Sequence, residues 1–231
     1  QEGIPIDPIG PLLLKGYKRA SPHLEDDGCL EWLDKQTNSS VIYVSFGSYA
    51  KLSVEEIHEL ALGLEDSQQP FLLVIRPDLA MGNDTSSVLP TGFLLRTKER
   101  GRVTSWAPQL DVLEHDAIGG FLTHCGWNSI LESLWNGKPF IGCPRGAEQN
   151  TNLKCLIDWN VAIPMDVGKS KVELKKGLVT KAINTLMHKP EGEKVRKRIL
   201  EMKEEARRAM EIGYSRSSLN KLVEDIKEMS G

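Results

Sequence analysis

Cysteine is scarce in this sequence, and its four copies lie far apart. None belongs to a Cys-x-x-Cys pair or to a His/Cys cluster at the spacing of a zinc site. The spacing therefore argues against a disulfide scaffold and against a metal centre. We expect reduced, buried thiols at all four positions, which are Cys29, Cys125, Cys143 and Cys155.

A basic excess and a long apolar run are also missing. The 231 residues include 29 Lys and Arg against 32 Asp and Glu, a formal net charge of −3. Because this balance leaves no strongly basic face, neither nucleic acid nor an anionic membrane is an expected partner. No apolar stretch reaches the roughly 18 residues of a membrane span, and no signal-peptide pattern opens the chain. We therefore expect a cytoplasmic protein.

Two common nucleotide-binding fingerprints are absent as well. The sequence contains no Gly-x-Gly-x-x-Gly motif, which disfavours a dehydrogenase as the alternative interpretation, and we expect no cofactor. Residues Gly168-Lys169-Ser170 imitate the tail of a P-loop, but Ile163 stands where that motif needs its first glycine. This segment is interpreted as a loop.

What the sequence does contain is a regular alternation of short apolar runs with helical patterns. The runs predict strands, and a capping box at Ser53 to Glu56 opens one of the intervening helices. Alternation of this kind predicts an α/β domain with a doubly wound, Rossmann-like parallel sheet that binds ligands at the carboxyl ends of its strands. The first strand and its turn are predicted at 41–48, and the other strands at 71–75, 102–104, 119–124, 140–143 and 162–163.

One strand–turn–helix unit, from Gly119 to Trp135, carries the strongest functional signal. Asn128 and Ser129 are good N-cap residues, and Gly137 provides a stop signal, so a helix of about two turns is predicted. A helix N-terminus after a parallel strand is a natural site for a diphosphate, because its backbone N–H groups have no partner within the helix.

Side chains around this turn extend the prediction to a whole nucleotide. Glu132 lies one helical turn beyond Asn128, where its carboxylate could accept hydrogen bonds from both ribose hydroxyls. Trp106 lies in a loop beside Pro108, where its indole could stack on a base. Ser48 follows the first strand, where a hydroxyl can face a phosphate. These residues predict the class of ligand, not the reaction.

The segment from Trp106 to Gln149 resembles, end to end and without insertion, the signature box of plant secondary product UDP-glycosyltransferases. Its most specific portion is Thr123-His124-Cys125-Gly126-Trp127-Asn128-Ser129, followed by Leu131-Glu132-Ser133. The resemblance extends to Gly10-Pro11-Leu12, to 29–34 and to 41–48, so it covers essentially the whole chain. It implies the C-terminal half of a two-domain GT-B glycosyltransferase.

The resemblance assigns a role to each residue of a donor site. Trp106 and Ala107 would bind uracil, and Gln109 and Glu132 the ribose. Phosphate contacts would come from Ser48 and the turn, and hexose contacts from the remaining members. The implied donor-binding set is Ser48, Trp106, Ala107, Gln109, His124, Gly126, Trp127, Asn128, Ser129, Glu132, Glu148 and Gln149.

The same resemblance implies the sugar and marks two departures from the family pattern. Gln149 at the end of the box is associated with glucose, whereas His there is associated with galactose. Glu148 replaces the commoner Asp, and 144–146 replaces a more aromatic stretch that would contact sugar and acceptor. We therefore expect UDP-glucose as the donor and a hydroxyl of a small lipophilic molecule as the acceptor.

Family members place the acceptor pocket and a catalytic His in an N-terminal half, and none of the five histidines here matches that base. The chain starts with Gln1 at what resembles the interdomain segment. We expect a linker at 1–25, a UDP-sugar-binding domain at 26–212, and a helix at 213–231 that packs on the other half. His124 would assist the leaving diphosphate, and the chain alone would be inactive. A non-catalytic UDP-sugar-binding module is the alternative.

Overall fold

A computed structural model describes residues 7–12, 28–47, 50–76, 85–166 and 172–229. Within them, six parallel strands form one sheet in the order β3-β2-β1-β4-β5-β6. The order reverses between β1 and β4, which is where doubly wound sheets bind ligands. The strands are β1 (Val41–Ser45), β2 (Phe71–Val74), β3 (Gly101–Thr104), β4 (Ile118–Thr123), β5 (Phe140–Gly142) and β6 (Ala162–Pro164).

Helices cover both faces of this sheet. Alternate side chains of β1 enter two separate cores: Ile42 and Val44 pack with α2 and α7, whereas Val41 and Tyr43 pack with α4, α5 and α6. Burial on both faces explains why the strands are continuously apolar, and the predicted doubly wound sheet is confirmed. The helices are α1 (Cys29–Asp34), α2 (Val54–Ser67), α3 (Phe93–Thr97), α4 (Gln109–Glu114), α5 (Trp127–Asn136), α6 (Gln149–Asp158), α7 (Lys176–His188), α8 (Pro190–Glu211) and α9 (Tyr214–Met229).

The start of α5 differs from the prediction. Gly126 occupies the N-cap position, so Asn128 and Ser129 lie inside the first turn and cap nothing. The reason is Cys125, which adopts the left-handed conformation with φ 65° and turns the chain into the helix earlier than expected. The helix has 10 residues, nearly three turns rather than two. By contrast, the capping box of α2 is confirmed in both of its hydrogen bonds.

A β-bulge interrupts the pairing of β1 with β4. Val41 pairs with Ile118 and Ile42 pairs with Gly120, which leaves Gly119 as the extra residue on β4. A Cβ atom at Gly119 would lie 2.2 Å from the main-chain oxygen of Ser39. The chain before β1 therefore approaches β4 so closely that only glycine fits at this position.

Two features concern the ends of the described chain. The Tyr214 hydroxyl, at the start of α9, donates a hydrogen bond of 3.0 Å to Asp7 Oδ1. Three apolar side chains of α9, those of Leu222, Val223 and Ile226, are 40–54% exposed. Most of the segment predicted as a linker lies outside the described residues. No helix in the described part of the chain has the length and apolar character needed to cross a membrane.

The cysteines follow the prediction except at one position. None forms a disulfide. Three of the four are buried, whereas Cys155 is only half-buried on α6. Burial raises the pKa of the Cys125 and Cys143 thiols to about 12, which keeps both protonated at neutral pH.

Candidate functional site

The predicted ligand residues gather at one edge of the sheet, at the carboxyl ends of the strands. Trp106 follows β3, Gly47 follows β1, His124 follows β4, and Gln149 follows β5 after a short turn. Because all strands are parallel, these four chain segments leave the sheet on the same side. The edge includes the position between β1 and β4 where the strand order reverses.

The N-terminus of α5 is open at this edge. Among the described residues no side chain caps it, so the first N–H groups of the helix have no side-chain partner there. Trp127 and Asn128 are exposed, Trp127 by 45%, whereas Ser129 is buried. Uncapped N–H groups and the positive end of the helix dipole together suit an anion such as a diphosphate.

His124 is held between two glycines. Its imidazole is 8% exposed, and Cβ atoms added at Gly47 and Gly126 would lie 2.7 Å and 2.4 Å from ring atoms. Gly47 also has φ 67°, which other residues rarely adopt. The side-chain hydroxyl of Thr123 lies 3.4 Å from His124 Nδ1. The ring is thus fixed in position between the turns after β1 and β4.

Burial lowers the pKa of His124 from 6.5, against an opposing effect of the Glu148 carboxylate. The imidazole is therefore neutral at pH 7, with one N–H to donate.

The unfolded chain binds a proton more readily than the folded chain below pH 6.5, so we expect the free energy of unfolding to rise with pH up to that value. Urea unfolding between pH 5 and 7.5 measures this slope. His124→Asn should reduce it, and an unchanged slope in this variant would contradict the assignment to His124.

Glu132 is a buried carboxylate with a defined partner. It is 7% exposed, and its Oε2 accepts a hydrogen bond of 2.6 Å from Gln109 Nε2. The same Gln109 nitrogen lies 3.1 Å from Ser129 Oγ. Within the described residues, this carboxylate has no further hydrogen bond, which leaves it with capacity to accept from a ligand.

Tyr43 extends this network into the core. Its hydroxyl donates a 3.3 Å hydrogen bond to Gln109 Oε1, and its ring stacks on Phe121 at 4.9 Å. Burial raises the pKa of the Tyr43 hydroxyl, so this group stays a donor at neutral pH. Because Tyr43 occupies the oxygen of the Gln109 amide, the amide nitrogen must face Glu132.

Removal of the Tyr43 hydroxyl should loosen this arrangement without disturbing the core. We expect Tyr43→Phe to raise the dissociation constant for a uridine nucleotide about fivefold, the equivalent of one hydrogen bond of about 1 kcal/mol. Thr97→Val is the matched control, because it also removes a buried hydroxyl hydrogen bond but lies on α3. Calorimetric titration of both variants measures the effect, and an equal change in the two would refute a specific role for Tyr43.

The loop after β3 is held by a reciprocal pair of hydrogen bonds. Thr104 Oγ1 accepts from the Trp106 main-chain N–H at 3.2 Å and donates to the Trp106 carbonyl at 2.6 Å. The Trp106 side chain is half-buried, whereas Ala107 is buried. The main chain of Trp106 is therefore held by two hydrogen bonds, while its indole lies outside the packed core.

Comparison with known proteins shows which family the chain belongs to. A family model described as UDP-glucoronosyl and UDP-glucosyl transferase matches residues 18–197. The chain belongs to this family. UDP-glycosyltransferase 76E1 of Arabidopsis thaliana is 41% identical over 98% of this chain and 49% of its own length. Isoflavone 7-O-glucosyltransferase 1 of Glycine max is 40% identical over 95% of this chain and 47% of its own.

Solved structures of plant UDP-glycosyltransferases share the fold. Phytolacca americana UGT2, solved with UDP-2fluoro-glucose and pterostilbene, aligns with a TM-score of 0.83 at 40% identity. The alignment covers 96% of this chain and 48% of that one. The GT-B fold class predicted from the sequence is thereby confirmed, and the chain spans about half the length of the relatives it matches.

The structure brings the predicted residues together to different degrees. Gln109, Ser129 and Glu132 are joined by hydrogen bonds, and His124 contacts Gly126. Glu148 is exposed and precedes α6, of which Gln149 is the first residue. Ser48 lies outside the described residues, so its predicted phosphate contact stays a prediction.

Three residues of the site were missed by sequence reasoning. Tyr43 reads as an ordinary core residue of a strand, and Thr123 as the end of another. Arg145 was noted only as a departure from the family pattern, although its main-chain N–H donates to the side chain of Gln149. The contact of Tyr43 with Gln109 joins segments 66 residues apart, and one sequence gives no direct signal for that. Thr123 and Arg145 contact residues one and four positions further along the chain.

Proposed function

We propose that this chain is the donor-binding half of an enzyme that transfers glucose from UDP-glucose to a hydroxyl of a small lipophilic acceptor in the cytoplasm. The observation that carries the proposal is Glu132, a buried carboxylate beside an open helix N-terminus. A ribose and a diphosphate together satisfy both features. The ribose hydroxyls donate hydrogen bonds to the carboxylate, and the phosphate oxygens accept hydrogen bonds from the N–H groups of the helix. The names of the relatives support a glucosyl donor and a phenolic acceptor.

Different residues would bind the base, the ribose, the diphosphate and the hexose of the donor. The half-buried indole of Trp106 would stack on uracil, and Ala107 would bind the uracil edge through its backbone. Glu132, held by Gln109, would accept hydrogen bonds from the ribose. The diphosphate would accept hydrogen bonds from N–H groups of α5 and from the side chains of His124, Asn128, Ser129 and Ser48. Trp127, Glu148 and Gln149 would contact the hexose hydroxyls.

Transfer would proceed by one direct displacement with inversion. The acceptor oxygen forms a bond to the anomeric carbon as the bond from that carbon to the β-phosphate oxygen breaks. A catalytic base in the N-terminal half takes the acceptor proton, and the electron pair of the broken bond leaves with UDP. The neutral imidazole of His124 and the N-terminus of α5 would stabilise the charge that develops on the leaving diphosphate.

Calorimetric titration of this chain with UDP-glucose tests the donor site directly. We expect UDP-glucose to bind more tightly than UDP-galactose or ADP-glucose, because the sugar and the base are both recognised. Equal binding of all three would refute the assigned specificity, and no binding would refute a donor site formed by this chain. Addition of the N-terminal half of a relative then tests transfer, and selective binding without transfer would favour a non-catalytic UDP-sugar-binding module.

A further inference from the structure

The turn between β5 and α6 is anchored by a buried arginine. The Arg145 side chain is 3% exposed, and its guanidinium forms an ion pair with Glu56 on α2. Its Nη1 also donates a 2.7 Å hydrogen bond to the Val172 carbonyl. A guanidinium with two fixed acceptors holds one orientation. The turn from Cys143 to Glu148 is thus tied to two chain segments outside it.

Glu56 is itself rigidly placed, which makes it a firm anchor. Its Oε2 accepts a 3.1 Å hydrogen bond from the Ser53 main-chain N–H, and its own N–H donates to Ser53 Oγ at 3.2 Å. The capping box fixes this side chain at the start of α2. The residues of α2 that follow, including Ile57 and Leu60, are buried in the core. Arg145 is therefore connected to the body of the domain.

The backbone of Arg145 sets the orientation of Gln149. The Arg145 main-chain N–H donates a 2.8 Å hydrogen bond to Gln149 Oε1. A backbone N–H can only donate, so the amide oxygen must face it and the amide nitrogen must face away. The free end of Gln149 is thus a hydrogen-bond donor in a fixed direction.

We propose that Arg145 is a positioning residue for the sugar part of the donor, which rests on the proposed function. The guanidinium fixes the turn, and the turn places the N–H that orients the Gln149 amide toward the hexose. The Gln149 amide nitrogen then donates a hydrogen bond to a hexose hydroxyl oxygen, with its orientation set before the ligand arrives. The uridine and diphosphate contacts come from other segments and do not depend on Arg145.

The test compares dissociation constants for UDP-glucose and UDP in Arg145→Met, which keeps much of the apolar stem and removes the guanidinium. We expect the preference for UDP-glucose over UDP to fall about tenfold, close to the value of one fixed hydrogen bond, while the affinity for UDP stays unchanged. A general structural role would weaken both ligands equally. That result, or an unchanged preference, would overturn the proposal.

Arg96→Met is the matched control, because Arg96 also pairs with a glutamate of α2, Glu65, but does so on the surface. Its preference for UDP-glucose should equal that of the wild type. Glu56→Gln replaces the two carboxylate oxygens by one, so its amide oxygen can accept from Arg145 or from the Ser53 N–H but not from both. It should reduce the preference less than Arg145→Met, because the guanidinium and its hydrogen bond to the Val172 carbonyl remain. If Arg145→Met fails to fold, Arg145→Lys serves instead, because a lysine reaches Glu56 without the two-pronged geometry of arginine.

The wild-type titration separates this proposal from the proposed function. Binding of UDP-glucose with a normal preference in the Arg145 variants would overturn the role of Arg145 alone. Failure of the wild type to bind UDP-glucose while UDP still binds would overturn the glucose donor, and the role of Arg145 with it.

Discussion

Replacement of Glu132 by alanine should weaken the binding of UDP-glucose by about 100-fold or more. Each hydrogen bond to a charged group contributes about 1.5–3 kcal/mol, and the carboxylate is positioned to accept two from the ribose. The loss also leaves the Gln109 amide nitrogen without its 2.6 Å partner. Calorimetric titration with UDP-glucose and with UDP measures the effect, which should be of equal size for both ligands because both contain the ribose.

Glu132→Gln is the matched control for this prediction. Its amide oxygen can still accept from Gln109, and its amide nitrogen can donate to a ribose hydroxyl, so the loss should be smaller than for alanine. UDP-glucose affinity in Glu132→Ala within threefold of the wild type would show that the ribose binds elsewhere. A loss for UDP-glucose without a loss for UDP would place Glu132 at the sugar instead.

Replacement of Gly119 by alanine should destabilise the fold by about 3 kcal/mol, at the upper end of the cost of overpacking a core. The added Cβ would lie 2.2 Å from the Ser39 oxygen, and both groups belong to the main chain, so no side-chain rotation relieves the clash. The segment before β1 would have to move, and Ser39 donates from its N–H to the Asp116 carbonyl at 2.8 Å. The midpoint of urea unfolding measures this change.

Gly177→Ala is the control for the added methyl group. Gly177 lies near the start of α7, and a Cβ there would meet no atom within 4 Å. Alanine is favoured over glycine in a helix by up to about 1 kcal/mol, so this variant should unfold at the same or a higher urea concentration. Equal destabilisation in the two variants would contradict a specific clash at the β-bulge.

The sequence was sufficient for the fold because its strands are buried on both faces. A wholly apolar run such as 71–75 cannot be an exposed strand, and the regular alternation with helices allows few topologies. The boundaries were less well predicted where a single backbone angle decides them. Gly126 rather than Asn128 caps α5 because Cys125 takes a positive φ, and neither propensity nor periodicity indicates that angle.

The residues of the candidate site also fall into those with local relations along the chain and those that depend on contacts between distant segments. Residues that belong to one strand–turn–helix unit, such as His124 and Glu132, could be predicted because their spacing along the chain fixes their relation in space. Tyr43 and Arg145 could not, since their contacts join segments that are 66 and 89 residues apart in sequence. The capacity of Glu132 to accept further hydrogen bonds also became visible only in the structure, where Gln109 is its one partner among the described residues.

The anchoring of the edge residues has a consequence for how such enzymes diversify. Glu132 is fixed by α4 and α5 on one side of the sheet, whereas the turn before Gln149 is fixed through Arg145 by α2 on the other side. Under the proposed function, substitutions around Arg145 would alter the choice of monosaccharide while the uridine contacts stay intact. A lineage could then reach new sugars in small steps, because every intermediate would still bind the same nucleotide.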